Sequence, residues 1–160
     1  MQGVNDVKQQ LLRDRIDQVV RENKNDPFRR EQELKKLLKE AEKNAERESD
    51  LYAIGKISML LANSILGQGR RGTMLSYAYK AVSIFEKTNE RALLARSYNL
   101  LGIAYSGLGN YLRAVSAYNN GLRILHGRDC NLIKKNTLLN NISALDREEG
   151  SGLYQQGRVQ

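Results

Sequence analysis

A period of 40 residues constrains this chain more than any other feature. Three stretches align at that spacing, opening at Ala41, Ala81 and Gly121, and each is followed by a polar break and a fresh apolar segment. The apolar segments superpose as well. Ser58-x-x-Leu61-Ala62-x-x-Ile65-x-x-x-Gly69 matches Tyr98-x-x-Leu101-Gly102-x-x-Tyr105-x-x-x-Gly109. A later copy, Leu139-Asn-Asn-Ile142-Ser143, echoes the second after a one-residue slip that sets Asn140 against Asn99. A unit of this length cannot bury its own apolar face, so such units stack into arrays.

Large apolar residues three and four apart form one stripe of a helix. A small residue beside the stripe, Ala62 or Gly102, lets a second helix approach closely. Gly69 and Gly109-Asn110 stand where the helix must stop and the chain reverse, since glycine tolerates a left-handed cap. A second helix then follows, with Ala114, Tyr118 and Gly121 a turn apart on its inner side. The pattern predicts helices at about 4–24, 28–47, 50–67, 72–88, 91–107, 111–126 and 131–147, paired antiparallel. Asp26 is the expected N-cap of the second, with Pro27 in its first position. The first helix, carrying Leu11, Leu12, Ile16, Val19 and Val20, matches no full unit. The expected organisation is a capping helix over 1–27, an array over 28–148 and a polar, glycine-rich tail over 149–160.

Residues 95–125 resemble a tetratricopeptide repeat in Tyr98, Leu101-Gly102, Tyr105, Gly109, Tyr111, Ala114, Tyr118 and Gly121. The family's terminal proline is replaced near His126, and Gly121 stands for its usual alanine. Residues 55–86 keep less of the pattern, namely Leu61-Ala62, Gly69, Ala78 and Ala81. The long spacing is similar to the helical arrays of bacterial peptide-sensing regulators and the input domains of signalling enzymes such as diguanylate cyclases. The resemblance implies an all-α fold, a right-handed α-solenoid of antiparallel helix pairs, and a non-enzymatic module that binds protein or peptide along its concave side.

Composition agrees with helix and removes several alternatives. Pro27 is the single proline, and Leu, Ala, Lys, Arg and Glu abound. Cys130 is alone, so no disulfide framework is expected, and His126 is the only histidine, so neither a histidine metal cluster nor a triad can be assembled. No cofactor is expected. The opening MQGVNDVKQQ lacks an apolar signal region, and the apolar run Ile57 to Leu66 is too short to span a bilayer, so a cytoplasmic protein without a membrane partner is expected. Gly67-Gln-Gly69-Arg-Arg-Gly72 has the spacing of a dinucleotide loop, but a helix precedes it where a strand is required, so it reads as a turn. The charged run at 29–48 reads as a solvated helix face with pairs such as Glu31–Lys35.

Charge points to the partner. The net +8 lies on residues 51–145, which hold 12 Lys and Arg but only Glu86, Glu90 and Asp129 as acids. That excess favours an acidic partner. First helices of the pairs line the groove in the resemblance, so the candidate peptide-binding residues are Lys56, Met59, Asn63, Arg96, Asn99, Ile103, Thr137 and Asn140. Asparagine donates and accepts at once and so bonds a peptide backbone of any sequence. Two alternatives remain open: a scaffold that self-assembles, and, less favoured, a basic helical array for nucleic acid, since most tyrosines sit at packing positions. The helix at 131–147 carries Leu138, Leu139, Ile142 and Leu145 without a partner helix, so two expectations stand open: a downstream domain covers that face, or a homodimer forms through it.

Overall fold

The computed structural model describes residues 2–43, 45, 48–125, 137, 140–142 and 144. Six α-helices follow one another: α1 (Gln2–Glu22), α2 (Pro27–Lys43), α3 (Glu48–Ile65), α4 (Arg71–Phe85), α5 (Arg91–Gly107) and α6 (Tyr111–Leu125). Beyond them Thr137, Asn140, Asn141, Ile142 and Ala144 are helical. Most of the expected seventh helix, including Leu138, Leu139 and Leu145, lies outside the described residues, as do His126, Cys130 and the tail at 149–160. Among the described residues no helix is long and apolar enough to cross a membrane.

The breaks are chemical. Asp26 Oδ1 accepts the Arg29 backbone N–H at 2.9 Å, and Pro27 opens α2. A 3-10 turn at Leu66–Gln68 ends α3, and Gly69 reverses the chain at φ 74°. Gly109, 40 positions on, has the same φ of 74° after α5. Asn110 Oδ1 then accepts the Arg113 N–H at 3.3 Å and starts α6. Helix α4 stops at Phe85, short of the expected 88, because Lys87 and Thr88 turn back onto the carbonyls of Ile84 and Phe85.

Each helix from α2 onward packs against the next in sequence, and α3 also touches α1 and α5. Connections this local build an all-α helical repeat rather than a closed bundle. The core runs continuously along it. Ile16, Leu34, Leu37, Ile54 and Ile57 fill the space among α1, α2 and α3. Met59, Met74, Phe85 and Leu101 fill the next space, among α3, α4 and α5. Burying one such side chain contributes about 1.5–3 kcal/mol. In α1 Ile16 is fully enclosed, while Val4, Val7 and Leu11 face outward.

Two glycines set how close the helices come. A Cβ on Gly102 would lie 2.7 Å from Cζ of Tyr118, whose ring packs against α5 at that glycine. One on Gly55 would lie 3.0 Å from Cζ of Phe85 in α4. Tyr118 is only 2% exposed, and Gly102 is buried beneath it.

Within the charged run of α2, Glu31 departs from the solvated reading, while Arg29, Lys36, Lys39, Glu40, Glu42 and Lys43 are exposed. Glu31 is 4% exposed and holds Lys35 at 2.6 Å together with Arg70 at the head of α4. Glu42 pairs with Lys80 one helix repeat further along. The i,i+4 pair Glu31–Lys35 is present as expected, but the sequence spacing within α2 carries no sign of the cross-helix partners. Hydrogen bonds from Arg70, and then from Lys35, hold the Glu31 carboxyl down at about 2, against a burial effect that acts the other way.

Two stability predictions follow from these contacts. Gly102→Leu should cost about 1–3 kcal/mol or more through overpacking against Tyr118, read as a lowered Tm. An unchanged Tm would contradict the contact. Glu31→Gln should cost about 1–3 kcal/mol at neutral pH. Because the folded carboxyl titrates at about 2 rather than 4.5, its contribution is complete above pH 4.5 and is lost as pH falls toward 2. Thermal melts of the parent across that window should therefore fall more steeply than those of Glu31→Gln.

Candidate functional site

The candidate residues lie on the first helices of the pairs. On α5, at about 100° per residue, Arg96, Asn99, Ile103 and Ser106 share one face. Arg96 is exposed and, among the described residues, meets neither a carboxylate nor another hydrogen-bond partner. Asn99 and Ile103 are half-buried beside it, and on α3 Asn63 is half-buried as well. Thr137 and Asn140 are exposed.

Lys56 and Met59 are committed within the chain. Lys56 Nζ is 3.1 Å from Asp17 Oδ1 of α1, so its charge is already matched. Met59 is 1% exposed and belongs to the core between α3 and α4, which leaves it no surface to offer a partner. The apolar stripe and the groove positions overlap at Met59, and packing takes it.

The structure brings one residue to the site that sequence alignment missed. Asn141 Nδ2 donates to Asn99 Oδ1 at 2.7 Å. Neighbouring helical residues point about 100° apart, so of Asn140 and Asn141 only one turns toward α5. The one-residue slip in the third copy selected Asn140, and the helix presents Asn141. The doubled asparagine was the available signal. Next to this bond a cleft opens, lined by Ile103, Ser106, Gly107, Tyr118, Asn141 and Ala144. Gly107 is needed there because the Arg71 side chain crosses it, with Nε 2.6 Å from where a Cβ would stand.

Arg70 and Arg71 do not form an anion loop. Arg70 is bound to Glu31 and Gln68, and Arg71 Nη1 donates to the Leu66 carbonyl at 2.9 Å. The tyrosines divide between core and surface. Tyr118 is core, while Tyr98, Tyr105 and Tyr111 are half-buried. The Tyr98 hydroxyl donates to Glu86, and burial followed by that bond raises its pKa to about 12. Among the described residues no group of three or more His, Cys, Asp or Glu gathers where a metal could be held. The face on α5 offers the amide of Asn99, the exposed guanidinium of Arg96 and the aliphatic side chain of Ile103.

No significant match to a curated protein or to a solved structure was found. The sequence pattern of the tetratricopeptide repeat family matches residues 54–125, which are α3 through α6 with the turns at Gly69 and Gly109. Tetratricopeptide repeats generally mediate protein–protein interaction, and the family is typically non-catalytic. With two helix pairs in that match, residues 54–125 of this chain form a segment of the tetratricopeptide repeat family.

Proposed function

We propose that the chain binds an extended acidic peptide of a protein partner along the face formed by α3, α5 and the helical residues beyond α6. Arg96 carries the reading, as an exposed guanidinium with no described partner beside the amide of Asn99. Asn63, Ile103, Thr137 and Asn140 extend the same surface. Arg96 supplies the attraction for a carboxylate, and Asn99 the backbone recognition.

The charge balance supports an acidic partner more narrowly than the whole-chain sum suggests. Lys56, Arg70 and Lys80 are answered by Asp17, Glu31 and Glu42, so the first helix pair of the match is largely neutralised. Residues 91–125 hold Arg91, Arg96, Arg113 and Arg123 and no acid. The field that steers an acidic peptide therefore comes from α5 and α6. The array fits the regulatory input part of a larger cytoplasmic signalling protein, with α1 capping its N-terminal end through Ile16. A scaffold that self-assembles is the competing reading, and light scattering on the isolated chain separates the two.

The test is a pull-down with mass spectrometry, followed by calorimetry on the protein recovered. Arg96→Ala with Asn99→Ala should weaken that binding by about tenfold or more, the loss expected for one charge-assisted bond and one neutral bond. Helical circular dichroism should be preserved. Unchanged affinity in the double variant would rule out this face.

A further inference from the structure

The α5 helix has a second working face. Tyr98, Leu101 and Tyr105 lie on the side roughly opposite Arg96, Asn99 and Ile103, at about 100° per residue. They form the floor of a groove whose walls are α4 and α6. Tyr79, 59% exposed, and Ser83 stand on the α4 wall, and Arg113 and Ser116 stand on the α6 wall.

The same architectural groove occurs one repeat earlier, between α2 and α4, and there it is closed. Glu31 and Glu42 of α2 reach across to Arg70 and Lys80 at α4, stapling the two second helices together. Between α4 and α6 that matching fails. Neither α4 (71–85) nor α6 (111–125) contains an acidic residue. Glu86, just past α4, is engaged by the Tyr98 hydroxyl. The cations of α6 have settled for neutral company. The Arg113 guanidinium sits 5.8 Å from the centre of the Tyr105 ring, and Arg123 Nη2 donates to Asn120 Oδ1 at 2.7 Å. Both arginines are exposed, and among the described residues no carboxylate pairs with either.

We propose that the groove between α4 and α6 is a second docking surface, whose occupant is an extended peptide with two acidic residues flanking an apolar one. The carboxylates take the places that Glu31 and Glu42 hold in the preceding groove, and the apolar side chain lies on the rings of Tyr98 and Tyr105. Ten residues of helix separate Arg113 from Arg123, about 15 Å along the axis. An extended peptide covers that in about four to five residues, which sets the spacing of the two acids. Nucleic acid fits less well. Its binding rests on several phosphate contacts at once, whereas this groove offers two arginines and places the Glu86 carboxylate among them. The surface stands independently of the Arg96 face, since it uses the other side of α5 and different cations.

The experiment is a ¹⁵N-resolved NMR titration of the full chain with three probes. One is a nonapeptide with two glutamates five positions apart around a leucine. The others are its counterpart with lysine for glutamate, and oligothymidylate. The acidic peptide should shift amides along α4 and α6, and the lysine peptide should not. Arg113→Glu with Arg123→Glu should weaken the acidic peptide by about tenfold or more, because reversal adds repulsion to the lost attraction. Tyr79→Ala, a change at an exposed ring, should weaken it while leaving the circular dichroism unchanged. Arg96→Ala should leave the affinity read from the α4 and α6 amides within about twofold, since mutation of a distant site acts independently, whatever it does to shifts on the Asn99 face. The proposal is overturned by absence of shifts on α4 and α6, by shifts confined to the Asn99 face, or by equal affinity in the charge-reversed protein. Oligothymidylate binding tighter than the peptide through the same arginines would reassign the groove to nucleic acid and overturn it as well.

Discussion

The contact on which the rest depends is the close packing of the Tyr118 ring against the bare backbone at Gly102. A side chain at that position would push α6 away from α5, and both faces of α5 would change with it. On one side Arg96 and Asn99 would lose their relation to the helical residues beyond α6. On the other, the walls around Tyr98 and Tyr105 would separate. The preceding pair meets the same need by a different residue: Gly55 receives Phe85, while Ala62 holds the position that matches Gly102. Close approach is conserved in geometry along the array, while the residue that permits it shifts along the helix. Dispersion between closely packed surfaces is what rewards such an approach.

Charge is distributed with the same economy. The N-terminal segment is neutral as a whole, yet its acids are turned toward the bases of the array: Asp17 to Lys56, Glu31 to Arg70, Glu42 to Lys80. The first pair of the tetratricopeptide match is thus electrically finished, and the second is not. Exposed pairs of this kind contribute little each, but Glu31 is enclosed and doubly bonded, so it acts as a fastener between α2 and α4. Among the described residues the arginines of α5 and α6 have no carboxylate partner, and these two helices also bear Tyr98, Tyr105, Tyr111 and Tyr118.

Sequence reasoning reached whatever repeats at a fixed interval or is settled within a few residues. Gly69 and Gly109 were legible because a left-handed turn requires glycine at both ends of one period, and Asp26-Pro27 because a cap acts on the next three residues. Leu61 and Leu101 were legible as one stripe. The pairing of Glu42 with Lys80, the turn of Asn141 rather than Asn140 toward Asn99, and the burial of Met59 were not. Each of these depends on the rotation of one helix against another. A shift of a single position turns a side chain by about 100°, so an alignment good to one residue still misplaces a contact. Gly55 and Gly107 were missed for a related reason: both answer to a bulky neighbour on another helix, and nothing within α3 or α5 announces it.

On this account α5 and α6 form one rigid unit, locked at Gly102, that carries both proposed binding faces. Native-state hydrogen exchange measures this directly, because residues that open together exchange at a common free energy. The amides of Leu101 to Tyr105 and of Ala114 to Tyr118 should exchange together, through the global opening, and more slowly than those of α1, whose N-terminal half exposes Val4, Val7 and Leu11. Exchange of α6 at a free energy well below that of α5, or slower exchange in α1 than in either, would contradict the account.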